Sequence, residues 1–130
     1  MSAASPGPFR CGLGASILAA TVLLGGASRA AAHAVLVRSS LQGAPVQAET
    51  PTAVTLRFNA AIEVALSRAL LVDAGGEERA LPVSSGGSPS ELVVRLPALP
   101  AGSYGLRYKV LASDGHLTDA ILRFPVSAPR

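Results

Sequence analysis

Tyr104-Gly105-Leu106-Arg107-Tyr108-Lys109-Val110 places four large apolar residues at every second position, separated by Gly105, Arg107 and Lys109. Successive side chains of an extended strand point to opposite faces, so this segment buries one face and wets the other. The same period recurs in Val54-Thr55-Leu56-Arg57-Phe58 and in Leu122-Arg123-Phe124-Pro125-Val126. Leu66–Val72 and Leu92–Leu96 are less regular strand candidates, and Ala34–Arg38 supplies a first strand. Helical periodicity is weak throughout, and only Ala60–Leu66 offers room for a helical turn. Asp73-Ala74-Gly75-Gly76, Gly86-Gly87-Ser88-Pro89-Ser90 and Pro97–Gly102 carry the turn chemistry that separates these runs. About seven short strands at this spacing predict an all-β domain, a small antiparallel sandwich or barrel with Greek-key connections.

Upstream of the first strand the chain reads as a secretory signal over residues 1–32, leaving residues 33–130 as one domain. Arg10 is the positive start, Leu13–Leu24 the apolar centre, and the small-residue stretch from Gly25 ends in Ala30-Ala31-Ala32. The apolar centre is shorter than the roughly 20 residues of a membrane span, and Arg29 follows it. Cleavage after Ala32 predicts an exported, soluble domain. Cleavage after Ala30 or Ala31 would instead move His33 off the terminus. Cys11 and Met1, the only sulfur residues, leave with the signal, and so do Arg10 and Arg29. Cys11 precedes the apolar centre, so it is not placed like a lipoprotein cysteine. Nine basic residues then remain against eight acidic ones, a net charge of +1. That balance, with scattered basic residues and few aromatics, argues against a nucleic-acid partner.

His33 is the residue that this processing exposes. As the first residue of a mature chain it would offer its α-amine and its imidazole Nδ1, which together close a six-membered chelate ring. The only other histidine is His116, in Ser113-Asp114-Gly115-His116. Asp-Gly is an ordinary turn dipeptide and a histidine after it is ordinarily just exposed, so neither half is specific alone. Combined, His33, Asp114 and His116 supply three nitrogens and one anionic oxygen. Such a set suits tetragonal Cu(II), which also heads the affinity series for these donors. A tetrahedral zinc site more often recruits a third histidine or a cysteine, and neither is available. The donors bind metal only when deprotonated. With reference pKa values near ~8 for the amine and ~6.5 for imidazole, affinity falls in mild acid.

These residues resemble the CopC family of periplasmic copper-resistance proteins. The likeness runs from His33-Ala34-Val35-Leu36 through Val54-Thr55-Leu56-Arg57-Phe58-Asn59, is strongest across 102–116, and closes on Leu122-Arg123-Phe124-Pro125-Val126. It implies a cupredoxin-like or immunoglobulin-like barrel or sandwich. It also implies one Cu(II) per mature chain held by His33, Asp114 and His116, and a periplasmic role in copper resistance, buffering or delivery. A CopD-type inner-membrane importer is the implied partner. Two departures stand out. The Cu(I) site that some members build from methionines is not expected, because no methionine follows the signal. Many members carry a glutamate two residues after the strand phenylalanine, where this chain has Ala60, and Glu63 is out of register.

Other residues read as structural. Tyr104 and Tyr108 lie on the apolar side of their strand and are expected in the core. Glu77-Glu78-Arg79 reads as a solvated strand start, and Asp119 as an exposed charge rather than a support for His116. No nucleophile elbow or phosphate-binding loop is present, so a non-catalytic binding protein is expected. Two alternatives stay open. An N-terminal copper-binding histidine also serves oxidative polysaccharide-cleaving enzymes. Conversely, Ala60 fits an interaction module that binds metal weakly or not at all.

Overall fold

The computed structural model describes residues 33–129, and the signal-like segment lies outside them. Nine strands are present among the described residues: β1 (Leu36–Ser39), β2 (Val46–Gln47), β3 (Thr52–Phe58), β4 (Arg68–Val72), β5 (Glu78–Leu81), β6 (Val83–Ser85), β7 (Glu91–Leu96), β8 (Gly102–Leu111) and β9 (Leu117–Ser127). They form two sheets, β1-β3-β7-β6 and β2-β9-β8-β4-β5. All pairings are antiparallel except the short β2–β9 contact. The chain changes sheet after β1, β2, β3, β5 and β7, as in a Greek-key sandwich.

The alternating runs do what their period requires. Val54, Leu56 and Phe58 of β3, Leu92, Val94 and Leu96 of β7, and Leu106, Tyr108 and Val110 of β8 are buried in one core. Phe58 meets Tyr108 edge-to-face across the two sheets, with ring centroids 5.6 Å apart. Tyr104 sits at the core's margin, half-buried, stacked on Phe124 at 6.0 Å. Its hydroxyl donates back to the Pro100 carbonyl at 2.8 Å, so it also fastens the β7–β8 crossing.

Three differences from the sequence reading have local causes. Strand β9 begins at Leu117, not Leu122, and pairs with β8 along its whole length, from Leu111↔Leu117 to Gly102↔Val126. Its period of two does continue toward the amino end, but Thr118 and Ala120 occupy the inward positions there, so the hydrophobic signal fades. Strand β4 begins at Arg68, because Val64–Leu66 closes a 3₁₀ turn first. Buried Ser67 holds that turn: its Oγ donates to the Glu63 carbonyl at 2.7 Å and accepts from the Leu111 amide at 3.2 Å. Finally, β2 and β6 bring the total to nine rather than seven, while β5 grows from the expected strand start at Glu77-Glu78-Arg79. The two added strands run two and three residues and lie at sheet edges, too short for a pattern to register.

Turn chemistry follows the sequence closely. Between β4 and β5, Asp73 Oδ1 accepts from the amides of Gly75 and Glu77, both at 2.9 Å. Gly76 there has φ +82°, a region that favours glycine. On the outer face of the five-stranded sheet, Arg107 donates two hydrogen bonds to Asp119, both at 2.9 Å, and a third to Glu78 at 2.8 Å. Asp119 is therefore engaged by Arg107 rather than by His116.

Two outcomes test this account. Leu106 is fully buried, so Leu106→Ala should lower unfolding free energy by about 2–5 kcal/mol in a denaturant titration. The Arg107 hydrogen bonds, with its charge second, hold the Asp119 carboxyl below its ordinary range. A lowered folded-state pKa stabilises above the ordinary carboxylate range, and that contribution disappears as the pH falls through the folded value. Asp119→Asn should therefore weaken the acid dependence of the melting temperature, with a small amplitude that salt reduces, because the pair is exposed.

Candidate metal centre

The three candidate ligands come from the two ends of the sandwich's chain. His33 immediately precedes β1, and Asp114 and His116 occupy the turn between β8 and β9. The fold brings them together: the His33 and His116 rings lie 5.4 Å apart, inclined at 71°. Metal–nitrogen bonds of about 2 Å put two imidazoles on one ion roughly 4.5–6.5 Å apart, centroid to centroid. The observed spacing falls within that range.

The β8–β9 turn is built by its own backbone. Ala112 donates to the His116 carbonyl and Gly115 to the Ala112 carbonyl, both at 2.9 Å. Gly115 has φ +93°, which a side chain would strain. This bend folds Asp114 onto His116. One carboxylate oxygen accepts the His116 amide at 3.0 Å, and the other lies 3.1 Å from His116 Nδ1. The His116 amide, then its imidazole, hold the Asp114 carboxyl below its ordinary range, and the nearby His116 and His33 charges act in the same direction. With Nδ1 turned to the carboxylate, Nε2 of His116 is the nitrogen left for a ligand.

A second set of bonds ties the turn to the segment after β3. Ser113 donates to the Ala61 carbonyl from its amide at 3.0 Å and from its hydroxyl at 2.8 Å. Ile62 forms a bridge with Ala112. On the other side, Asn59 donates its amide to the Val35 carbonyl at 3.0 Å and accepts the Val35 amide on Oδ1 at 2.8 Å. Ala34, between His33 and Val35, is completely buried. Strand alternation assigns no role to Asn59, Ala61 or Ser113. Only the polar character of Asn59 and Ser113, each following a strand, hints at one.

His33, Asp114 and His116 are all exposed. Among the described residues, no three His, Cys, Asp or Glu side chains form a ready-made metal-holding group. Asp114 bonds His116 through both carboxylate oxygens, each of which keeps a further acceptor site. Glu63 is exposed and caps the 3₁₀ turn only through its backbone.

Comparison with known proteins places the fold. The CopC domain model matches residues 36–127. The chain belongs to the CopC family. Among solved structures, it is similar to CopC from Methylosinus trichosporium OB3b, with 30% identity and a TM-score of 0.64, covering 75% of this chain and 97% of that one. It is also similar to PcoC, a methionine-rich copper resistance protein from Escherichia coli, with 25% identity and a TM-score of 0.58, covering 74% and 100%. No curated protein sequence matches. Unlike the methionine-rich relative, this CopC chain has Met1 as its single methionine. Among the described residues no helix is long and apolar enough to cross a membrane.

The turn geometry has a direct consequence. Gly115→Ala should cost about 1–2 kcal/mol of stability by forcing a left-handed β-carbon. It should also move the Asp114 pKa upward, toward the ordinary carboxylate value, in an NMR titration, because the bend that delivers Asp114 to His116 is disturbed.

Proposed function

We propose that this chain is a periplasmic copper-binding protein, not an enzyme, that holds one Cu(II) through His33, Asp114 and His116. In this reading residues 1–32 are removed on export. The new terminal amine and the imidazole of His33 then chelate the ion, Nε2 of His116 adds a third nitrogen, and Asp114 serves as an oxygen donor or orients His116. The observation that carries it is the apposition of the chain's only two histidines from opposite ends of the domain. Membership of the CopC family and the copper-resistance role named for PcoC support copper as the cargo. Nitrogen and carboxylate donors favour the oxidised ion, and no thioether remains after processing to hold Cu(I). Two exposed apolar residues, Val35 and Leu117, flank the histidines and suit handover to a membrane partner of the CopD type.

A second reading treats the domain as an interaction module with weak metal binding. It draws on Ala60 and on the commitment of Asp114 to His116. A complex with a CopD-type protein that persists in His33→Ala and without copper would favour it.

The decisive measurement is a Cu(II) titration with paramagnetic resonance detection on the exported protein, once N-terminal analysis shows that it begins at His33. A form with one extra residue before His33 is compared beside it. The processed form should bind more tightly and show an additional nitrogen donor. Equal affinity and equal nitrogen signatures in the two forms would remove the amine from the site and overturn the proposal. In the processed form, affinity should fall as the pH drops through the imidazole range, since protons compete for the same nitrogens.

A further inference from the structure

We propose that Asn59 is the positioning residue for the His33 donor, acting through Val35. This inference rests on reading His33 as a metal ligand. Strand β1 pairs with β3 up to Leu36↔Phe58. One residue further, Asn59 still donates its amide to Val35 as a ladder would require, but the return bond is different. The Val35 amide is accepted by Asn59 Oδ1 at 2.8 Å. The side-chain amide thus stands in for a backbone acceptor at the end of the ladder.

That substitution has a use. After Asn59 the chain must leave the four-stranded sheet and cross toward the five-stranded one. The Ala61 carbonyl there takes both bonds from Ser113, and Ile62 bridges Ala112. If β3 continued straight to hold Val35 with its own carbonyl, it would not be free to turn at this point. The Asn59 side chain lets one short segment grip both halves of the site. Its first residue fixes the chain two residues after His33, and its third and fourth fix the strand end that carries Asp114 and His116. Buried Ala34 removes the remaining freedom on the His33 side. His33 itself is exposed, so these anchors set the place of its ring beside His116.

The chemistry restricts the residue type. The position needs an acceptor oxygen one carbon beyond Cβ. Aspartate supplies it, alanine has none, and leucine matches the size without the oxygen.

The test uses the exported, processed protein and its Asn59→Ala, Asn59→Leu and Asn59→Asp variants. Without metal, NMR reads the through-space contact between the His33 and His116 rings and the exchange rate of the Val35 amide. Asn59→Ala and Asn59→Leu should lose the ring contact and exchange Val35 at least about tenfold faster, as expected for an amide that has lost its only acceptor. The amide of Ala112, in the opposite half of the site, should stay protected in both. Asn59→Asp should restore both signals. With Cu(II), the Ala and Leu variants should bind about 10–100-fold more weakly, the range seen when a ligand's support is removed, and should lose a nitrogen donor that the Asp variant keeps. A ring contact preserved in both Asn59→Ala and Asn59→Leu overturns the inference. If the unaltered protein shows no Cu(II) bound through His33, the proposed function fails instead, and the metal-free contact still decides the role of Asn59.

Discussion

Packing of β3 against β8 between the two sheets is the constraint on which the rest of this molecule depends. Phe58 and Tyr108 meet edge-to-face, and Leu56, Leu106 and Val110 are fully buried around them. Apolar burial of this kind dominates the stability of a small domain without disulfides. It also sets geometry, because a strand whose alternate side chains are locked in a core cannot slide by one residue without turning them outward. Asn59 directly follows β3, and the Asp114–His116 turn follows β8 by two residues. The site is therefore suspended from the ends of two strands locked in the core. Its own residues are exposed and contribute little to the fold.

Around that frame, polar groups make local decisions that burial leaves open. Ser67 ends a 3₁₀ turn and receives the last amide of β8. Asp73 closes the β4–β5 hairpin with two amide bonds. Arg107 gathers Asp119 and Glu78 on an exposed sheet face. Most of these bonds join residues on neighbouring strands or within one turn, and the Arg107–Glu78 bond reaches across β4 to β5, so they add registration more than energy. The exposed ion pairs in particular are worth little in water.

The candidate centre follows the same division. Asp114 and His116 are brought together locally, by a glycine in a left-handed bend and a carboxylate that bonds the next-but-one amide. His33 arrives through long-range contacts: buried Ala34, the hydrogen-bonded Val35 and the crossing segment Asn59–Ile62 carry it to His116.

Much of this was legible in the residues themselves. The period of two in β3, β8 and the carboxyl half of β9, and the Gly and Asp turns, are local properties, so the all-β class and the main core followed directly from them. So did the conjunction of His33 with Asp-Gly-His, since both histidines can be seen without a structure. The residues alone did not reveal β2 and β6, the full length of β9, or the hydrogen bonds of Asn59, Ser67 and Ser113. Edge strands take their stability from the partner they meet, Thr118 and Ala120 hide an inward face, and an asparagine after a strand shows no partner until the chain returns beside it. Residue order alone dictates which side of each long strand is buried and which residue types are available to hold a metal. The tertiary structure alone decided that His33 and His116 lie 5.4 Å apart, because that distance is a property of two packed sheets and of the segment that crosses between them.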